Sequence, residues 1–268
     1  IADKLDTLAG IFAIGEKPSG TKDPFGLRRA AIGVIRIAIE KRLDLDLAGL
    51  LVRAVELVRA DIEKSAAAAG KAAPALASQS IAAEVYDYVL ERLRAYYLER
   101  TPTATGDLRV GAAAPGAVVT TEMFDAVLAT RPASPLDFAA RIHALRAFLT
   151  MPEAASLTAA NRRVANILRK AAESAPAQVD QDVLQASAER QLYAAMHARR
   201  DGVSAAIARK DYTDALTLLA QLRPAVDAFF DQVMVMDENP VLRANRLALL
   251  AQMRQLFAGV ADLSRLPG

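Results

Sequence analysis

Three times along this chain a short polar side chain stands directly before proline and opens an apolar run: Asp23-Pro24, Ser134-Pro135 and Asn239-Pro240. An oxygen on the first residue can accept from the unpaired N–H groups of a helix start. Proline, with its fixed φ and missing N–H, suits the first helical position. Apolar residues then recur every three or four positions, as in Ile32, Ile35, Ile39 and Leu43. That period belongs to a helix with one buried face. No alternating run is long enough for a strand, and no fixed period marks a solenoid. Aromatics are only 5%, with no Trp, and alanine, leucine and arginine dominate, which favours helix further. The expected fold class is all-α, built as two helical bundles.

The breaks in the pattern set the expected organisation. Helices are expected over Ile1–Ile14, from Asp23 (the cap) to about Arg42, from Asp46 to about Ala67, and over Ser80–Arg100, with a loop at Ala66–Ser78. Residues 101–120 hold Pro102, Gly106, Gly111, Pro115 and Gly116 and read as an irregular linker. Residues 1–100 are thus one bundle and residues 121–268 another. In the second, helices are expected over Thr121–Thr130, from Ser134 to Leu149 and over Glu153–Glu173, followed by three or four more. Pro224, Val226, Phe229, Phe230, Val233 and Met234 predict one apolar face. Asn239 caps the next helix, whose polar face would hold Arg243, Arg246, Gln252 and Arg254.

Several chemistries are excluded or disfavoured. The absence of cysteine rules out disulfides and thiolate metal sites. His143 and His197 stand apart and read as helix-surface or core residues, so no catalytic residue is expected. No apolar run approaches the ~20 residues of a membrane span. Net charge is +2 and the pI about 8.9, a mild basic bias. Residues 155–210 carry nine Lys/Arg against five Asp/Glu, a stretch that would attract phosphate or simply face water. Gly15 to Lys22 has the outline of a phosphate loop, but Thr21 precedes Lys22 where the nucleotide-binding order is Lys then Ser/Thr, and a helix precedes it where a strand is needed. The chain opens at Ile1, without Met and inside an expected helix, and reads as the C-terminal part of something longer.

Four segments carry a resemblance. Phe229-Phe230-Asp231-Gln232-Val233-Met234-Val235-Met236 is followed by Arg243-Ala244-Asn245-Arg246-Leu247-Ala248-Leu249-Leu250. Gly15-x-Lys17-Pro18-Ser19-Gly20-Thr21-Lys22-Asp23-Pro24-Phe25-Gly26-Leu27-Arg28-Arg29 is a long signature of fixed spacing. Asn161-Arg162-Arg163-Val164-Ala165-Asn166-Ile167-Leu168-Arg169-Lys170 is a third, and Ala2-Asp3-Lys4-Leu5-Asp6 a fourth. Together they resemble the β subunits of bacterial glycyl-tRNA synthetases: the end of an HD-like helical domain in residues 1–100, then a DALR-like helical anticodon-binding domain. Arginyl-tRNA synthetases have a related C-terminal domain, but there a Rossmann catalytic domain lies upstream.

The resemblance implies a tRNA-binding role within a cytoplasmic glycine–tRNA ligase. The partners would be tRNA-Gly and an α subunit in an α2β2 assembly, with neither DNA nor membrane. ATP and Mg would be used by the α subunit, and the fragment itself would be non-catalytic and without cofactor. Asp3 would match the last acidic ligand of the HD set, but one carboxylate cannot hold or activate a metal-bound water, so no metal site is expected. Asn161 and Asn166 would read bases, and Arg162, Arg163, Lys170, Arg243 and Arg246 would hold phosphates. Lys17, Lys22, Arg28 and Arg29 surround a glycine loop at a helix start and would contact an anion, tRNA or another subunit; a capped loop facing water explains them equally. The alternatives are a purely structural helical scaffold of the assembly and the C-terminal region of an arginyl-tRNA synthetase.

Overall fold

The computed structural model describes residues 1–18, 22–72, 77–98, 119–171 and 178–267. Among these the chain is all-α, with eleven α-helices and no strand. Contacts divide it into two compact units, Ile1–Gly116 with Pro132–Ala139, and Ala117–Arg131 with Ala140–Gly268. No helix among the described residues is long and apolar enough to cross a membrane.

In the first unit α1 (Ala2–Ala13) packs on α2 (Leu27–Glu40), α3 (Leu47–Ala68) and α4 (Ser78–Leu98), and α2 and α3 also meet α4. Leu8, Leu27, Ile35, Leu51, Val55, Val85 and Leu93 are fully buried between them. Each such side chain contributes ~1.5–3 kcal/mol of hydrophobic stabilisation. The Asp46 carboxylate caps α3 by accepting from Gly49 N–H at 3.0 Å. Ser134 plays two parts: its hydroxyl accepts from Asp137 N–H at 3.0 Å and donates to Asp44 at 2.9 Å. The Tyr86 hydroxyl donates to the Pro132 carbonyl at 2.8 Å, and Leu47 N–H to that of Ala133 at 2.9 Å.

The start of α2 departs from the expectation. The helix begins at Leu27, not Pro24, and ends at Glu40 rather than about Arg42. Gly26 sits at φ 67°, a left-handed conformation open to a residue without Cβ. The chain thereby turns back so that the Asp23 carboxylate reaches Leu27 N–H at 2.8 Å and Arg28 N–H at 3.0 Å. Asp23 still caps, from three residues further out. The loop expected from Ala66 begins after Ala68, and most of the expected 101–120 linker lies outside the described residues.

The second unit holds α5 (Thr121–Leu128), the greater part of α6 (Pro135–Leu149), α7 (Ala154–Lys170), α8 (Ser187–Ala208), α9 (Tyr212–Ala220), α10 (Arg223–Gln232) and α11 (Pro240–Ala258), with 3-10 turns at Gln181–Val183 and Leu263–Arg265. Helix α8 packs on α9, α10 and α11, while α7 packs on α10, α11 and the last turn. Phe124, Phe148, Leu157, Phe229 and Phe257 are fully buried. Thr120 caps α5 through Met123 N–H, and Asn239 caps α11 through Val241 N–H at 2.9 Å. Helix α10 stops at Gln232, so Met234 leaves the expected apolar face and is 74% exposed. Arg141 donates to the carbonyls of Gly259 and Val260, each at 2.9 Å, and lies 4.3 Å over the Tyr212 ring.

Candidate nucleic-acid interface

Helix α7 divides its residues cleanly. Leu157, Ala160, Asn161 and Val164 face inward, whereas Arg162, Arg163, Asn166, Arg169 and Lys170 are exposed. The helix is held on α10 by Ser156, which donates to the Asp227 carboxylate; within α10, Arg223 bonds that same carboxylate at 3.3 Å. Above that seam the Arg163 guanidinium lies 4.4 Å over the Phe230 ring, itself set edge-on to Phe229 at 5.5 Å. A guanidinium seated on an aromatic ring at an exposed position still has five N–H donors to offer a phosphate or a base edge. Arg162 donates to the Leu266 carbonyl. The Asn166 carbonyl oxygen accepts from Arg169 at 3.0 Å, which fixes the amide of the one exposed asparagine on this face.

Two of the seven side chains assigned to tRNA are turned inward, a correction to the sequence reading. Asn161 is only 2% exposed, and its amide donates to the Leu157 carbonyl at 2.9 Å. The spacing shows why: Asn161 is four residues after Leu157 and three before Val164, on the apolar stripe. Arg246 is 7% exposed rather than on a solvated face. It donates to the Glu189 carboxylate, to the Met234 carbonyl at 2.9 Å and to the Asp237 carboxylate at 2.6 Å. Glu189, at 1% exposure, also accepts from Ala186 N–H at 2.7 Å as the N-terminal cap of α8. Burial pulls the Arg246 pKa down, but bonds to Glu189 and Asp237 outweigh it and hold it above the ordinary value. The N–H of Asn239, then Arg246, hold the Asp237 carboxyl below its usual range. Arg243 is half-buried and donates to the Asp237 carbonyl at 2.9 Å.

Sequence reasoning missed Asn245. Its amide accepts from Asp180 N–H at 2.8 Å and donates to the Asp180 carbonyl at 2.9 Å, fastening the segment before α8 to α11. Only its place among buried neighbours on α11 hinted at such a role.

In the first unit Lys17 pairs with Glu84 and lies 6.0 Å from the Phe12 ring. Lys22 and Arg29 are exposed and Arg28 is half-buried. The N–H groups at the start of α2 already bond to Asp23, so this end is not an open anion cradle. Among the described residues no three His, Asp or Glu side chains group as a metal site.

Comparison with known proteins fits both halves. Residues 1–106 match the family model "Glycyl-tRNA synthetase beta subunit", and residues 157–263 match "DALR anticodon binding domain". The chain is 45% identical over 264 residues to a glycine–tRNA ligase beta subunit of Serratia proteamaculans, covering 98% of the chain and 34% of the relative. It is 44% identical over 266 residues to one from Pseudomonas aeruginosa, covering 99% and 34%, and 42% identical over 267 residues to one from Coxiella burnetii, again 99% and 34%. The chain thus spans about a third of the length of the curated relatives it matches.

Proposed function

We propose that the chain, whose residues 1–106 and 157–263 match these two family models, is the tRNA-binding portion of a glycyl-tRNA synthetase β subunit. Residues 121–268 would bind the anticodon region of tRNA-Gly, and residues 1–100 would be the end of the preceding HD-like domain. Glycine activation with ATP and Mg would fall to an α subunit in a cytoplasmic α2β2 enzyme. The observation that carries this reading is the anticodon-binding match across residues 157–263, joined to the exposed basic face of α7 within that span. The arginyl reading loses ground, since it is the glycyl β-subunit model that matches residues 1–106.

Chemistry narrows the residues. Arg162, Arg163 and Lys170 stand where phosphates can reach them, and Asn166 is the exposed amide beside them. Arg243 contributes at the edge. Asn161 and Arg246 act as internal ties instead. The test is equilibrium binding of the complete αβ enzyme to tRNA-Gly and to an anticodon-swapped transcript across a salt series. Arg163→Ala and Lys170→Ala should weaken both tRNAs alike and each lower the salt slope by about 1. Asn166→Ala should blur the preference for the cognate anticodon by roughly 1–3 kcal/mol. If none of these changes moves affinity, slope or preference, the domain is a structural scaffold.

A further inference from the structure

Apart from the basic face of α7, the second unit carries a groove between α8 and α11 that none of these assignments uses. It encloses about 630 Å³. Three amide side chains border it, Gln178, Gln252 and Gln255, together with Tyr193 and Arg200, and buried Val203 lies in its floor. No carboxylate is among its described lining residues. The spacing comes from the helices: Tyr193 and Arg200 are seven residues apart on α8, two turns along one face, and Gln252 and Gln255 are three apart on α11.

The parts are held in place. Arg200 donates to the Gln252 oxygen at 3.3 Å, linking the two walls. The Tyr193 hydroxyl accepts from Gln181 at 3.0 Å, and its ring lies 6.1 Å from that of His197 at an interplanar angle of 33°. The ring plane is therefore fixed at its rim. A fixed aromatic face, amides that both donate and accept, and a planar cation with no carboxylate among the described lining residues match the chemistry of an unpaired nucleotide. The base stacks on the ring, its edge meets the amides, and its phosphate meets the guanidinium. The volume lies within the ~300–1,000 Å³ of small-ligand sites, ample for a single nucleotide.

We propose that the α8–α11 groove takes one unpaired base of the tRNA anticodon loop, with Tyr193 as stacking platform, Gln252 and Gln255 as edge readers and Arg200 as phosphate contact. The inference rests on the tRNA-binding reading of the same unit and assigns residues that reading did not. Its test pairs a protein change with a base deletion. The complete synthetase, wild type and Tyr193→Leu, is titrated with tRNA-Gly transcripts in which each anticodon-loop nucleotide in turn is abasic. Tyr193→Leu should weaken intact tRNA roughly tenfold, within the ~1–3 kcal/mol of one base–aromatic stack. At one loop position the abasic transcript should bind both proteins equally. Gln255→Glu, at an exposed position, should weaken intact tRNA with an unchanged melting temperature. If the two losses add at every position while wild type still senses abasic sites, the groove is not the base site and the tRNA reading stands. If wild type is indifferent to every abasic substitution, both fail.

Discussion

Arg246 is where the structure makes its sharpest energetic demand. Its side chain is 9% exposed and that of Glu189 only 2%, so the pair lies almost wholly outside water. Arg246→Ala would strand the buried Glu189 carboxylate, with the Ala186 N–H as its remaining hydrogen-bond donor among the described residues. Breaking a buried pair from one side costs about 3–5 kcal/mol, against ~0.5 kcal/mol for an ordinary surface change. Asp237 would lose a partner too, but it is 30% exposed and water can replace that bond. At ~2–4 °C per kcal/mol for a domain of this class, the melting temperature should fall by about 6–20 °C. Removing both charges together, Arg246→Leu with Glu189→Leu, should recover most of the loss, since a matched apolar replacement of a buried pair is often neutral. Thermal and urea unfolding of the chain measure both. In the synthetase, the double variant should retain tRNA affinity with an unchanged salt slope. A single Arg246→Ala that costs under ~1 kcal/mol, or a double variant that lowers the slope by about 1 as a lost phosphate contact would, refutes the structural role.

Three further outcomes follow. Asn239→Ala removes the oxygen that receives Val241 N–H and should destabilise the second unit by about 1 kcal/mol in urea titrations, with Asn239→Ser recovering most of it. Gly259→Ala brings a Cβ to 2.6 Å from Ile207 Cδ1; it should lower stability by ~1–3 kcal/mol, and adding Ile207→Val should restore part of that. Glu122, whose pKa is lowered by its own backbone N–H and then by the Thr120 hydroxyl, and Asp237 both titrate below their ordinary values. Their contribution is therefore complete above the unfolded values of 4.5 and 3.8 and is lost as pH falls below them; urea midpoints that stay level from pH 5 to pH 3 would contradict it.

Local chemistry was legible in the sequence because it acts within a few residues. Ser134 and Asn239 cap as read, a short oxygen-bearing side chain before an apolar period; Asp46, read as a helix start, caps in the same way, and Thr120, read as the end of the linker, proves to be a cap as well. Asp23 was read correctly as a cap but misplaced, since periodicity does not reveal that Gly26 turns the chain once more before Leu27. The interface was legible only in part. Arg163 and Arg246 are equivalent as symbols on a helical wheel, yet one stacks on Phe230 at the surface and the other bonds a carboxylate fifty-seven positions away. A single sequence does not encode that partner choice locally, as the packing of α8 on α11 decides it. Asn161 was the avoidable error, because its register with Leu157 and Val164 already put it inside. The α8–α11 groove was invisible for the opposite reason, being made of residues unremarkable one by one.

The stretch Gly259–Leu266 has no regular structure beyond the 3-10 turn Leu263–Arg265, yet Val260, Ala261, Leu263 and Leu266 are buried. Arg141 holds the carbonyls of Gly259 and Val260, Asp262 N–H donates to the Ala126 carbonyl at 2.9 Å, and Arg162 holds the carbonyl of Leu266. A segment of this kind ordinarily frays, exchanging its amide hydrogens with solvent long before the body of a domain opens. Here release requires α5, α6 and α7 to let go together, so its amides belong to the same cooperative opening unit as the helices. The slow exchange of a turn, rather than of a helix interior, becomes the signature of an intact domain.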